Sequence, residues 1–217
     1  MSISGLKRSS LVGAMALFAG VSLLAQRGGG FGGGFGGSRF TGLNPNVPYD
    51  GKFVFVRMSY AAGFGGRQGP PWSHDYPVGE AHFMRILTSV SNVPAHLDGS
   101  NVLAFDSPEI FKFPLIYLVE PGYWRMSEPD VTGLRSYLLK GGFLVVDDFP
   151  SWAWSNFDEQ MSRVFPRLHW IDLTPEHPIW HSFFEIPSLE MTTYYNLGGT
   201  PIFRALFEDN DPAKRMY

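Results

Sequence analysis

Pro114–Phe149 reads PLIYLVEPGYWRMSEPDVTGLRSYLLKGGFLVVDDF, and its punctuation decides the fold. The uniformly apolar run Leu115–Val119 has the composition of a strand covered on both faces. Glu120-Pro121-Gly122 ends it as a turn. Ser127 is then a natural N-cap, with Asp130 standing one turn on as a shorter version of the capping-box acid. Val131, Leu134 and Leu138, flanked by Tyr137, form the buried stripe of a helix, and Lys140 suits the negative end of its dipole. Gly141 supplies the left-handed stop. Phe143–Val146 is a second apolar run, and it ends in Asp147-Asp148. The result is a strand–helix–strand unit with acids at the carboxyl ends of both strands, where open α/β sheets place their ligands.

Working outward, Phe53–Met58 (FVFVRM) reads as a first buried strand, rich in aromatic and β-branched residues. A long loop, Ser59–Pro77, leads to a helix over Val78–Val90, whose apolar stripe is Phe83, Ile86, Leu87 and Val90. Val102–Phe105 reads as a short edge strand, Asn156–Val164 as a short helix stopped before Pro166, and Leu168–Ile171 as a fourth strand. The chain after Thr174 looks irregular. Right-handed crossovers make such a sheet parallel, with helices on both faces. The expectation is one flavodoxin-like, three-layer α/β/α domain over residues 49–217.

The segments before it look different. Lys7 and Arg8 precede an uncharged apolar stretch, Leu11–Leu24, that ends at small Ala25, and residues 1–25 read as a secretory signal peptide. At about 1.5 Å per residue the stretch spans roughly 21 Å, short of the ~30 Å bilayer core, which leaves an uncleaved N-terminal anchor as the weaker alternative. Gln26 stands where lipid attachment would need cysteine. Residues 26–48 read as a flexible tether, because Gly28–Gly37 is glycine broken only by Phe31 and Phe35. The chain has no cysteine, so an exported form would carry no disulfides. It holds 17 Lys and Arg against 20 Asp and Glu, and removing the leader takes away Lys7 and Arg8 and no acid. That mildly acidic balance argues against nucleic-acid binding. The expected setting is the periplasm or another extracytoplasmic space, with the membrane met only transiently.

Several of these stretches resemble a known bacterial family. Tyr117-Leu118-Val119-Glu120-Pro121-Gly122, the helix end Tyr137-Leu138-Leu139-Lys140-Gly141-Gly142 and Val145-Val146-Asp147-Asp148-Phe149 are similar to domain of unknown function 4159. So are Trp72-Ser73-His74-Asp75-Tyr76-Pro77 and His177-Pro178-Ile179. The resemblance covers about Lys52 to Tyr217 and implies a fold similar to class I glutamine amidotransferases, with no established activity. It also implies a further strand and tail beyond Met216-Tyr217, so the sheet here would lack its last strand or the sequence would be a truncated product. Those amidotransferases need a cysteine nucleophile on a sharp strand-to-helix turn. With no cysteine and no G-x-S-x-G turn, glutaminase chemistry is excluded.

The ionisable clusters carry what remains. His74 and Asp75 pair as a general base with its orienting acid, or else pin the loop, with Asp75 accepting amides at the start of the Val78 helix. Arg57 and Tyr60, at the end of the first strand, would lie nearby and bind an anionic group. Of Asp147 and Asp148 only one should reach a pocket, since strand neighbours point to opposite faces; the other reading is an acid that caps the next loop or the helix near Asn156. Glu120 with Tyr123 and Trp124 offers either a rigid turn with aromatic cover or a stacking wall for a sugar or peptide. His177, His181 and Glu185 have the spacing of metal ligands, but Pro178 and the missing H-E-x-x-H glutamate favour a helical turn packing Ile179, Trp180, Phe183 and Phe184 into the core. Glu80 and His82 read as surface or rim residues.

The leading reading is an exported, non-catalytic α/β domain binding a small ligand or an envelope protein at the carboxyl edge of its sheet. Its site would comprise Arg57, Tyr60, Trp72, His74, Asp75, Glu120 and Asp148, with no cofactor and no metal ligand assigned. The rival is a hydrolase using His74 with Asp75 or a strand-end carboxylate, in a metal-assisted form if a divalent cation joins them. A third reading makes the Gly/Phe tail an envelope-assembly element.

Overall fold

β1 (Phe53–Ser59) runs through the middle of a parallel sheet whose strand order is β2-β1-β3-β4. The partners are β2 (Ala95–Ala104), β3 (Leu115–Val119) and β4 (Phe143–Asp147). The computed structural model describes residues 42–62, 69–191 and 201–217. The signal peptide and residues 26–41 of the tether read from the sequence lie outside the described residues, whereas its last residues are fixed to β2: the Val47 amide donates to Asn101 Oδ1 at 2.7 Å and the Val102 amide to Asn46 Oδ1 at 2.9 Å. None of the described helices is long and apolar enough to cross a membrane.

Strand alternation sorts the sheet into two unlike faces. Val54, Val56, Met58, Ile116, Leu118 and Leu144 share a core with Val131, Leu134 and Leu138 of α2 (Glu128–Leu139) and Phe157, Met161 and Val164 of α3 (Trp154–Val164). Each such buried side chain contributes roughly 1.5–3 kcal/mol. On the other face Phe53 and Phe55 meet Phe83 of α1 (Val78–Val90), at ring separations of 6.3 and 5.4 Å. The crossover from β3 through α2 to β4 follows its sequence closely. Ser127 and Asp130 form a reciprocal capping box, and Gly141 takes a φ of +105° at the helix end. Gly133 lets α2 lie against the chain after β2, since a Cβ there would sit 2.2 Å from the Phe105 carbonyl oxygen.

Three elements depart from the sequence reading. β2 is ten residues long rather than a stub, because its first half, Ala95–Gly99, is polar and largely exposed and so carries no apolar signature. α1 is rotated from its expected stripe: Met84 and Glu80 are its buried residues, while Phe83 and Val90 are partly exposed. The polar tie of Glu80 to Arg57, described below, turns the helix that way. Leu168–Ile171 does not extend the parallel sheet. Instead β5 (Ile171–Asp172) pairs antiparallel with β6 (Arg204–Ala205) in a separate two-stranded ribbon. There Trp170 packs on Trp154 and Phe157 of α3, which draws the segment away from β4.

Candidate functional site

β1 connects through α1 to its neighbour on one side, whereas β3 leads through α2 to β4 on the other. The carboxyl ends of β1 and β3 therefore flank the point where the strand order reverses, the usual ligand crevice of an open α/β sheet. Three segments meet there: the loop before α1, the turn after β3 and the end of β4.

The foundation is buried and polar. Arg57 leaves β1 with a side chain only 2% exposed. Its Nε donates to the Glu80 carboxylate on α1, and its Nη1 donates to the backbone carbonyls of Trp72 and His74, both at 3.0 Å. The Tyr117 ring lies 5.4 Å below the guanidinium. Tyr60 points its hydroxyl at the carbonyl oxygens of Val119 and Glu120, 3.1 and 2.7 Å away. Burial first, and the neighbouring Glu120 charge second, push its pKa up, so it stays a neutral donor. Trp72 is buried beneath the loop. Arg57, Tyr60 and Trp72 were expected in contact with a ligand; the structure buries all three, with Arg57 and Tyr60 holding backbone carbonyls and Trp72 packed in the core. In particular, Arg57 is spoken for by Glu80 and two carbonyls and offers no open face to an anion.

Above them four side chains converge. His74 Nδ1 lies 2.7 Å from Asp148 Oδ2 and 3.7 Å from Glu120 Oε1, and its Nε2 lies 3.9 Å from Asp75 Oδ1. Glu120 and Asp148 are mostly buried, while the His74 and Asp75 side chains are 44% and 37% exposed. Single ligand atoms from His74, Asp75 and Asp148 all fall within 4.8 Å of one another. The partner of His74 is thus Asp148, not its sequence neighbour Asp75. Nor does the Asp75 carboxylate cap α1: that helix starts behind Pro77 without a side-chain cap, and the Gly79 amide bonds the Asp75 backbone carbonyl instead. α3 likewise has no side-chain cap, so Asp148 does not serve it.

The backbone is bent to bring these acids together. Asp75, Glu120 and Asp148 have φ of +59°, +54° and +58°, and they make up three of the five described non-glycine residues in the left-handed region. Such conformations cost on the order of 1 kcal/mol and persist only where surrounding contacts impose them. Electrostatics agree with the crowding. The hydrogen bond to Asp148 pushes the His74 pKa up to about 9, although desolvation opposes it. Burial raises Glu120 and Asp75, with the Asp148 charge adding to both and His74 opposing. At neutral pH the imidazole is therefore a cation set among acids, and it is poorly suited to act as a general base.

Other candidates resolve differently. His181 Nδ1 lies 2.8 Å from Glu185 Oε2 at an exposed turn, whereas His177 Nδ1 accepts from the Ile179 amide, so the three spaced residues do not converge. The apolar residues of that turn do not enter the core: Phe183 is 62% exposed, because the segment Pro178–His181 is a short 3-10 turn lying on the surface. Trp124 is fully buried against Phe105 and Phe157 and forms no ligand wall. Glu80 is the residue the sequence reading misplaced most. It shares a helix face with buried Met84, four residues on, but a charged residue does not announce burial by type, and only an arginine opposite it on β1 could have signalled a pair.

Fold and cluster together define an α/β domain with a histidine and three acids gathered at the switch point of its parallel sheet. Residues 54–217 match the family model described as Domain of unknown function (DUF4159), and the chain belongs to that family. No curated protein matches the sequence.

Proposed function

We propose that this domain is an exported binding module whose site takes a divalent cation through His74, Asp75 and Asp148, with Glu120 beside it. The observation that carries the reading is the approach of three ligand atoms, from three separate segments, to within 4.8 Å. One imidazole and two carboxylates suit Zn²⁺ or Mn²⁺ better than Ca²⁺ or Mg²⁺, which favour all-oxygen sets. The scaffold is read as three-layer and flavodoxin-like, akin to class I glutamine amidotransferases without their nucleophile; the strand order β2-β1-β3-β4 supports this. The bound ion would present open positions to a small ligand or envelope partner. Calorimetric titration of chelator-treated protein with Zn²⁺, Mn²⁺, Ca²⁺ and Mg²⁺ tests the reading. One ion per chain should bind, with Zn²⁺ or Mn²⁺ preferred, and His74→Ala should abolish the binding. A wild-type protein that binds none of the four overturns it.

A metal-assisted hydrolase is the second reading, favoured by one observation. Glu120 lies beside the three ligands with its pKa raised by burial and by Asp148, as a general base next to a metal-bound water would be. Turnover of an ester, glycoside or peptide substrate, lost in Glu120→Gln with cation affinity kept, would establish it. A cation-loaded protein inactive across such a panel rules it out.

A further inference from the structure

Two short turns leave the carboxyl edge beside the cluster, and each presents an aromatic ring to solvent. Pro121–Tyr123 follows Glu120, and Ser151–Ala153 follows Asp148 and Pro150. Tyr123 is 42% exposed and Trp152 57%, and their rings meet edge to face at 5.5 Å. Single exposed apolar residues are ordinary, but two in contact on one rim are a surface.

This surface is built on a rigid base. Asn156 Nδ2 donates to the carbonyls of Pro121 and Trp124, at 2.6 and 2.9 Å, which clamps the first turn to α3. Ala153, next to Trp152, and Trp124, next to Tyr123, are fully buried, the latter against Phe105 and Phe157. Gly122 leaves no room for a side chain: a Cβ there would come within 2.7 Å of both the Ala153 Cβ and the Trp152 ring. The rings are thus held in place while their outer surfaces remain wet.

We infer that Tyr123 and Trp152 form a stacking shelf for a saccharide whose hydroxyls reach Glu120, Asp148 and the cation site; this rests on the cation reading above. A pyranose ring has an apolar C–H face that stacks on an aromatic face and a rim of hydroxyls that need acceptors or a metal. The shelf supplies the first and the adjoining carboxylates the second. An apolar peptide would cover the rings but bring no hydroxyls to the carboxylates or the cation, a poorer match.

The test is titration of cation-loaded wild type, Trp152→Ala and Tyr123→Ala with cellohexaose, maltohexaose, N-acetylchitohexaose and a Trp-Phe-Trp tripeptide, by calorimetry and by proton NMR of the ligand. At least one hexasaccharide should bind wild type and bind Trp152→Ala about tenfold more weakly, with cation affinity unchanged. Because both aromatic side chains are largely exposed, the variants should unfold at the wild-type temperature. Cation binding without any saccharide binding overturns the shelf and leaves the cation site standing. Saccharide binding that Trp152→Ala does not weaken, or binding of the tripeptide alone, also overturns it. Saccharide binding by a protein that takes up no ion keeps the shelf and defeats the cation reading.

Discussion

The β3–α2–β4 crossover and the loop from Pro70 to Pro77 both end at the same cluster, yet they are held by opposite means. The crossover is made of local rules: an apolar strand, a capping box at Ser127 and Asp130, a buried stripe and a left-handed stop at Gly141. The loop carries only one short turn, Pro71–Ser73, closed by the Ser73 and His74 amides on the Pro70 and Pro71 carbonyls. That turn is in addition fastened from below, by an arginine on β1 whose charge is balanced by a glutamate on α1. The difference teaches that a site-bearing loop can be positioned by one buried polar tie, so damage to that tie should be far more costly than damage to any single element of the crossover.

The largest expected effect follows directly. Glu80→Ala leaves the Arg57 guanidinium buried without its counter-charge and should destabilise by about 3–5 kcal/mol in urea unfolding. The double variant Arg57→Met with Glu80→Leu should recover much of that loss, because burying no charge is cheaper than burying one alone. It should still bind cation poorly, since the carbonyls of Trp72 and His74 lose their donor. If Glu80→Ala is as stable as wild type, the loop is not held this way. By contrast Ser127→Ala removes one half of the capping box and should cost only about 1 kcal/mol, measured by the same unfolding curve, with cation affinity intact.

A smaller effect should have the opposite sign. Glu120 sits at a φ of +54°, which glycine adopts freely. Glu120→Gly should therefore gain up to about 1 kcal/mol of stability while weakening ligand binding, the pattern of a strained residue kept for function. A loss of stability on that substitution would mean that the carboxylate, rather than function, holds the turn. The gentlest expectation concerns pH. His74 has a folded-state pKa of about 9 against an ordinary 6.5, so its contribution to the cation-free protein is fully present below about 6.5 and is lost as pH rises through about 9. The raised pKa values of Asp75 and Glu120 act in the same direction at lower pH. Thermal unfolding should thus show stability falling from pH 6.5 to 9, and His74→Asn should flatten that slope.

How much of this was legible in the sequence follows the same division. Pro114–Phe149 could be read nearly residue by residue, because helix caps, glycine stops and apolar periods are local properties of the chain. The carboxyl-edge rule brought His74, Asp75, Glu120 and Asp148 to one place. It could not say that Asp148 rather than Asp75 would face the imidazole, since that depends on left-handed turns at three acids. Nor could it separate ligand-facing residues from those beneath them. Arg57, Tyr60 and Trp72 look like binding residues by type, yet the first two are buried with long-range hydrogen bonds to backbone and the third in the apolar core. Trp124 and Trp152 are alike in composition, but one fills the core and the other stands in solvent. The polar half of β2, the burial of Glu80 and the detour of Leu168–Ile171 share one cause: each is set by a partner distant in sequence.

The central claim is that the cluster around His74 is a cation site. Titrating chelator-treated wild type and Asp148→Asn with Zn²⁺ and Mn²⁺, with a circular dichroism spectrum to confirm that both are folded, tests it most directly. One ion should bind per wild-type chain, with affinity at least about tenfold weaker in Asp148→Asn. Equal affinity in the two folded proteins, or no binding to wild type, would contradict it.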